Sequence, residues 1–454
     1  MSATETSLES SLQQLKCHFT WNLIEEEESL DEFEDKVFNV YEFLNSEFTA
    51  TLCNILAYVK QRQGDNEAAL ECLGQAADFI QREYADQAEI RSLVTWGNYA
   101  WVYYHMGRLT EAQAYVDKVR QVCKKFASPY RIERPELDGE EGWARLKCTK
   151  NLNERGKVCF EKALEKSPRN PEFTEGWAIA ISRLDYRPAS QDPIEPLKQA
   201  IALNGDNQYV KVLLALKLQK TYEVDRAERL VEEALEKAPD ATDVLRMAAK
   251  FYQKKGVLDK AIELLGKVSE CLPNNAYVHF HIGCLYRSKV LQRLNIRASE
   301  ISEEREKSVD LVERAVCHLK KAHELNGSLV HVCSYLAGLY AMADQFEQAD
   351  YYFQKEFSKP LAPAAKQLLH LRYANFQLYQ MKCEDEAIHH FMEGMKIKQE
   401  SKEKEKMKYK LQKIAHGRLS KNDSDPKALH VLMFLREMSK GGLHPAAPLH
   451  EAEE

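Results

Sequence analysis

Catalytic machinery is what this chain of 454 residues most plainly lacks. It holds no G-x-x-x-x-G-K-[ST] phosphate loop, no H-E-x-x-H, no G-x-S-x-G and no paired Cys/His metal spacing, so the common nucleotide-hydrolysing, zinc-protease and serine-hydrolase chemistries have no starting point. Cys383, His389 and His390 lie within two helical turns and read as packing rather than as a metal site. The expectation is a protein that is not an enzyme and needs no cofactor. The cysteines number eleven, an odd and scattered set without a C-x-x-C pair. Several, such as Cys53, Cys159 and Cys317, fall on apolar helix positions, which points to free thiols in a reducing compartment rather than a disulfide framework. No apolar run is long enough to span a bilayer, and Met1 to Ser11 is polar, unlike a secretory leader. The expected location is therefore cytoplasmic, with no membrane span. Strand-type alternation is missing too, which leaves an all-α chain. An excess of positive charge is also absent: the net charge is -7. That total opposes a uniformly basic surface but hides how charge is distributed. Glu25 to Asp35 is strongly acidic, while Lys396 to Lys421 is rich in lysine and includes Lys406 and Lys410.

A repeating helical pattern fills the chain. From Leu245 onward, Leu245, Ala249, Tyr252, Gly256, Ala261, Leu265 and Pro273 fall at positions 4, 8, 11, 15, 20, 24 and 32 of a tetratricopeptide repeat. The small/large pair at positions 20 and 24 recurs as Ala69/Leu73, Ala112/Val116, Gly156/Phe160, Ala227/Val231, Ala315/Leu319, Ala349/Phe353 and Ala387/Phe391. Each such unit is a helical hairpin that cannot bury its apolar face alone, so neighbours must stack. The predicted fold is an all-α tetratricopeptide-repeat superhelical solenoid with a concave basic channel.

Breaks in the pattern divide the chain. Residues 1–10 are expected to be disordered. Repeat regions follow over 11–135, 136–240 and 241–437, and a disordered tail over 438–454. Leu12 to Leu23 and Phe33 to Phe48 have helical apolar spacing. Pro129 and Pro135 interrupt the early repeats, and Arg187 to Pro196 carries three prolines and reads as a loop or a changed crossing angle. Ser299 to Lys307 is polar and reads as a long loop or an exposed helix.

The repeat also assigns side chains to faces. First-helix positions 2, 5, 9, 12 and 13 face the concave side, while 4, 7, 8 and 11 pack inward. In the unit beginning at Thr242 the concave positions hold Asp243, Arg246, Lys250, Gln253 and Lys254. Arg246, Lys250 and Lys254 are four residues apart and form one stripe. Arg287 takes a concave position in the next unit, Arg183 falls near one in an earlier unit, and Lys150 lies near the same channel. Lysines and arginines so placed bind an anionic ligand. RNA is one candidate, through neutralised phosphates and released counterions. An acidic peptide held by a protein-only scaffold is the other.

Longer strings carry a resemblance. LKCHFTWNL at Leu15 to Leu23, FEDKVF at Phe33 to Phe38, IRSLVTWGNYAWVYYHMG at Ile90 to Gly107 and DNQYVKVLLALKL at Asp206 to Leu218 are similar to the interferon-induced proteins with tetratricopeptide repeats. KQLLHLRYANFQLYQMKCEDEAIHHF at Lys366 to Phe391 resembles the second member in particular. The resemblance implies an interferon-induced, cytoplasmic antiviral protein that binds RNA, AU-rich RNA above all, and restrains viral mRNA translation. It further implies a homodimer made by helix exchange, heteromers with the first and third members, contact with the translation initiation machinery and a link to apoptosis. By motif it points to Arg183, Lys250, Lys254, Arg287 and Lys406 as RNA-binding residues. Where other members grip an RNA 5′ end with an arginine and a polar residue four positions on, this chain has Lys36 and Val40. That departure favours binding along the body of an RNA rather than at its end.

Overall fold

The computed structural model describes residues 3–23, 49–148, 152–184, 192–296 and 303–440. The chain forms two compact units, Met1–Asn275 and Ala276–Glu454. Among the described residues all regular structure is helical.

Unit 1 begins with α1 (Ala3–Leu12) and continues as six hairpins. They are α2 (Thr49–Arg62) with α3 (Asn66–Glu83), α4 (Ala88–His105) with α5 (Leu109–Lys124), and α6 (Pro135–Cys148) with α7 (Asn153–Lys166). Then come α8 (Pro171–Arg183) with α9 (Ile194–Leu203), α10 (Gln208–Leu218) with α11 (Val224–Lys237), and α12 (Thr242–Lys255) with α13 (Leu258–Cys271). Unit 2 has four hairpins: α14 (Ala276–Ile296) with α15 (Glu303–Leu325), α16 (Val332–Met342) with α17 (Phe346–Phe357), α18 (Pro363–Tyr379) with α19 (Glu384–Lys396), and α20 (Lys402–Leu419) with α21 (Pro426–Lys440).

The position 20/24 pairs are the reason the hairpins close. Ala69, Leu73, Ala112, Val116, Ala227, Val231, Ala261, Ala315, Leu319, Ala349, Ala387 and Phe391 are all fully buried. The alanine admits the first helix of its hairpin closely, and the larger residue fills the gap beside it. Around Phe160 the approach is closer still. A Cβ on Gly176 would lie 2.3 Å from the Phe160 ring, and one on Gly142 would lie 2.9 Å from it. In unit 1 each first helix, from α2 to α12, packs on the next first helix, so one continuous face of the unit is built from first helices alone.

In six of the hairpins the turn falls at position 15 of the repeat. Gly64, Gly107 and Gly256 hold it with φ of +88°, +73° and +87°. Tyr222, Asp344 and Lys382 hold the same position with φ of +66°, +58° and +58°, where a side chain is strained.

Three expectations are corrected. The chain is ordered into a helix from Ala3, inside the stretch read as disordered, because Leu8 and Leu12 are buried against unit 1. Leu12 to Leu23 is not one helix: α1 stops at Leu12 and a single 3-10 turn follows at His18–Thr20. Leu12, Leu15 and Leu23 are buried as their spacing implied, but polar anchors set the path. The His18 backbone N–H donates to Asn98 Oδ1 at 3.1 Å, and Thr20 Oγ1 donates to the Leu15 carbonyl at 2.8 Å. Asn98 Nδ2 reaches His18 Nδ1 at 3.1 Å and Asn54 Oδ1 at 2.9 Å. Arg145 Nη2 donates to the Trp21 carbonyl at 3.1 Å, and Lys16 pairs with Asp138 at 3.3 Å. This N-terminal strap is thereby fastened across α4 and α6. Third, Pro196 belongs to the first turn of α9 rather than to a loop, where its missing N–H costs nothing. The polar stretch Ser299 to Lys307 is helical from Glu303. Phe33 to Phe48 and the tail after residue 440 lie outside the described residues.

Candidate functional site

The last turns of α6, α8 and α10 each bring a cation to one end of the first-helix face of unit 1. Lys147 lies in the last turn of α6, Arg183 ends α8 and Lys217 lies in the last turn of α10. Two of them cap the preceding first helix. Arg183 Nη1 donates to the Leu146 carbonyl at 2.6 Å, and Lys217 Nζ donates to the Ser182 carbonyl at 2.5 Å. Cations suit helix C-termini, whose free carbonyls carry partial negative charge. The local reason for this ladder is therefore helix capping, and its consequence is clustered positive charge.

α12 lies alongside and adds Asp243, Arg246, Lys250 and Lys254. Arg246 is half-buried, while Lys250 and Lys254 are exposed. Burial is the main force on this cluster, and like charge adds to it. The Lys147 ammonium is lowered to about 7, first by desolvation and then by Arg183 and Arg246, against the opposing pull of Asp243. The Arg246 guanidinium is lowered by burial and by Arg183, while Tyr209 and Asp243 favour its charge. Burial pushes the Asp243 carboxyl up, opposed by Arg246 and Lys147. Asp243 thus partly neutralises the N-terminal end of the stripe, a point the reading of Arg246 to Lys254 alone did not include. The exposed cations of α12 are Lys250 and Lys254.

Unit 2 holds a second cluster. Arg287 on α14 and Arg372 on α18 each place the guanidinium carbon 4.6 Å from the centroid of the Tyr335 ring on α16. Arg372 Nη1 also donates to Ser334 Oγ at 2.7 Å. Farther along, Lys410 on α20 lies 4.3 Å from the Tyr379 ring centroid and hydrogen-bonds its hydroxyl. Lys406 is exposed on the same helix.

The candidate residues therefore fall into three groups. Arg183, Arg246, Lys250 and Lys254 share the first-helix face of unit 1. Arg287 belongs to the unit 2 cluster, and Lys406 and Lys410 lie on α20. Lys36, Val40 and Lys150 fall outside the described residues. Three members were missed: Lys147, Lys217 and Arg372. Lys147 occupies position 11 of its unit, which the repeat assigns to packing, and no signal marked it. Arg372 sits at position 5 of the unit whose 20/24 pair is Ala387/Phe391. That is the place Arg246 holds in its own unit, so the same register would have found it.

Acidic residues cluster elsewhere in unit 1. Arg91 grips Glu172 at 2.7 and 3.4 Å, and its guanidinium lies 3.9 Å from the Tyr84 ring centroid. Thr51 Oγ1 donates to Glu140 at 2.7 Å, and burial raises the Glu140 carboxyl to about 7. These contacts join α2, α4, α6 and α8. His390, read as packing, pairs with His370 through Nδ1 atoms 3.1 Å apart, beside Phe357 and Tyr373.

Tetratricopeptide repeat family models match residues 47–125 and 218–279. Fold and sequence together define an all-α tetratricopeptide-repeat solenoid. The chain belongs, more narrowly, to the interferon-induced proteins with tetratricopeptide repeats. It is 68% identical over 440 residues to interferon-induced protein with tetratricopeptide repeats 2 of Homo sapiens, spanning 96% of this chain and 93% of that protein. The protein of the same name from Mus musculus is 62% identical over 97% of this chain and 94% of its own length. Interferon-induced protein with tetratricopeptide repeats 3 of Mus musculus is 48% identical over 88% of this chain and 98% of its own length. Among solved structures, a monomeric IFIT1 mutant with Gppp-AAAA superposes with a TM-score of 0.80 at 39% identity, covering 95% of this chain and 96% of that one. The human IFIT1 dimer with m7Gppp-AAAA gives 0.78 at 39% identity over the same shares.

Proposed function

We propose that this chain is an interferon-induced antiviral effector that binds RNA on the first-helix face of unit 1 and thereby restrains viral mRNA translation. One observation carries the reading: Lys147, Arg183 and Arg246 are massed at one end of that face, and the exposed stripe Lys250/Lys254 extends from them. A chain of net charge -7 that concentrates cations on one face is built for a polyanion. IFIT1, a relative of the same fold that this chain matches over nearly its whole length, is known with capped and triphosphorylated tetranucleotides, which supports RNA as that polyanion. AU-rich single strands are the preferred class in this reading, and the body of the RNA is held rather than its 5′ end. The protein acts in the cytoplasm as a homodimer or with the first and third family members, and it reaches the translation initiation machinery and apoptosis through those complexes.

The test is a gel-shift series with AU-rich, GC-rich and duplex RNA. Lys250→Glu with Lys254→Glu, both exposed, should weaken binding at least about tenfold. Each lost contact to a single strand should also flatten the salt dependence by about 0.7 in slope. Triphosphorylated and hydroxyl-ended RNAs of one sequence should bind within about tenfold of each other, or about 1.4 kcal/mol. A folded double variant with unchanged affinity would defeat the proposal.

A further inference from the structure

Tyr222 turns its hairpin in a conformation that suits its side chain poorly. Of the six residues that hold such a turn with positive φ, three are glycine. Asp344 belongs to a residue type that visits the left-handed region readily, whereas Tyr222 sets a bulky ring on a strained backbone. That ring is 94% exposed, so almost no burial offsets the strain. Strain that contacts within the fold do not offset points to a role outside it.

The exposed tyrosines differ in how easily another protein's active site can take them. Tyr351 and Tyr409 lie inside α17 and α20, and Tyr379 is the last residue of α18. An enzyme that grips tyrosine in an extended segment must first break helical hydrogen bonds around them. Tyr222 instead follows a single 3-10 turn at Gln219–Thr221 and precedes α11. The Glu223 backbone N–H donates to the Leu218 carbonyl at 3.2 Å, and Thr221 Oγ1 donates to the same carbonyl at 3.0 Å. Opening this turn costs few bonds and uncovers no core.

The turn also stands at the basic end of the first-helix face. Lys217, which caps α8 through the Ser182 carbonyl, is five residues before Tyr222. Gln219 Nε2 donates to the Phe251 carbonyl at 3.1 Å, which ties the turn to α12 about one helical turn before Lys254 and Lys255. A phosphate on the Tyr222 oxygen brings about 1.5 to 2 negative charges. Salt confines so local a charge to a range of about 8 Å, so its effect falls on this end of the face, where it competes with a polyanion for the same cations. The N-terminus of α11 beside it favours an anion, so the hairpin keeps its fold.

We propose that Tyr222 is an acceptor for a protein tyrosine kinase, and that its phosphorylation lowers the affinity of the unit 1 face for RNA. The second half rests on the RNA-binding reading above; the first half does not. In the transfer the phenol oxygen bonds to the γ-phosphorus of ATP, and the bond from that phosphorus to the β–γ bridging oxygen breaks. ADP leaves with the bonding electrons, and the phenol proton passes to the carboxylate base of the kinase.

The test treats the full-length chain with MgATP and the catalytic domain of a broad-specificity tyrosine kinase. Mass spectrometry follows each tyrosine, and affinity for one single-stranded AU-rich RNA is measured over a range of salt. Tyr222 should be modified at least about tenfold faster than Tyr351, Tyr379 or Tyr409, whose segments must unfold first. The modified chain should bind RNA about three- to tenfold more weakly, with a salt slope flatter by about 0.7 for each cation withdrawn. A phosphatase should restore both, and an unchanged melting temperature shows that the fold is kept. Tyr222→Phe should bind RNA as the unaltered chain does, and kinase treatment should leave its affinity unchanged. Tyr222→Glu, which needs no kinase, should weaken binding about two- to threefold, since it brings a single screened charge. Modification of Tyr222 no faster than that of the three helical tyrosines would overturn the acceptor assignment. Full modification with unchanged affinity would overturn the effect on RNA and leave the acceptor assignment and the RNA reading standing. An unaltered chain that binds no RNA would overturn the RNA reading and that effect with it, while rapid modification of Tyr222 would still support the acceptor assignment.

Discussion

Lys147 shows how a single buried cation can make binding depend on pH. Its folded value of about 7 lies below its ordinary value of 10.5, so burial penalises the charged form. The sign follows directly: the penalty on stability is complete below about pH 7 and is relieved as pH rises toward 10.5. A phosphate beside the ammonium reverses the preference, so RNA binding above pH 7 draws in a proton. Affinity should therefore fall as pH is raised from about 7 to about 9 at fixed ionic strength, by at most about tenfold per unit, the limit for one proton. Lys147→Met should bind more weakly at low pH and lose this dependence. A flat profile for the unaltered chain would remove Lys147 from the contact surface. Legibility at this scale was uneven. Arg246, Lys250 and Lys254 could be placed from repeat positions alone, because helix periodicity fixes which residues share a face. Lys147 could not: whether a lysine at a packing position is silent or functional depends on neighbours on α8 and α12, two and six helices away in sequence.

Within a hairpin, the turn at position 15 accounts for most of the local strain. Glycine takes the left-handed conformation freely at Gly64, Gly107 and Gly256. Tyr222 takes it with φ +66° and is 94% exposed, so its ring gains almost nothing in return. Tyr222→Gly should stabilise unit 1 by about 0.5 to 1 kcal/mol, the left-handed penalty of about 1 to 2 kcal/mol less the extra freedom glycine has when unfolded. Denaturant midpoints at unchanged slope are the measurement, and a destabilised variant would show that the tyrosine makes an unsuspected contact. Hairpins as such were readable, since the 20/24 pairs are small and large residues at a fixed spacing. The strap at Leu15 to Leu23 was not. Its apolar residues have helical spacing, but hydrogen bonds from His18 and Thr20 outweigh that spacing, and the partner of His18, Asn98, is 80 residues away in the chain.

On the scale of the whole molecule, association is the expected state. On α21, Leu429 is 45% exposed and Met433 is 63% exposed, and the two lie one helical turn apart. Apolar side chains adjoining on a terminal helix are a common mark of a contact surface. IFIT1, related over nearly the full chain, is known as a dimer. Light scattering at micromolar concentration should give about twice the 52.3 kDa chain mass, or a larger complex once the third family member is added. A clean monomer under both conditions would contradict the expectation. Leu429→Glu with Met433→Glu tests whether α21 is the surface used. The fastening of the N-terminal strap carries a different consequence, one of timing. Its partners Asn98, Asp138 and Arg145 lie about 80 to 125 residues downstream of the groups they bind. At a synthesis rate of roughly 5 to 20 residues per second, the strap leaves the ribosome several seconds before its last partner exists. During that interval the apolar side chains Leu12, Leu15, Trp21 and Leu23 can meet α2 and α4, but the path of the strap cannot be fixed until α6 has been made.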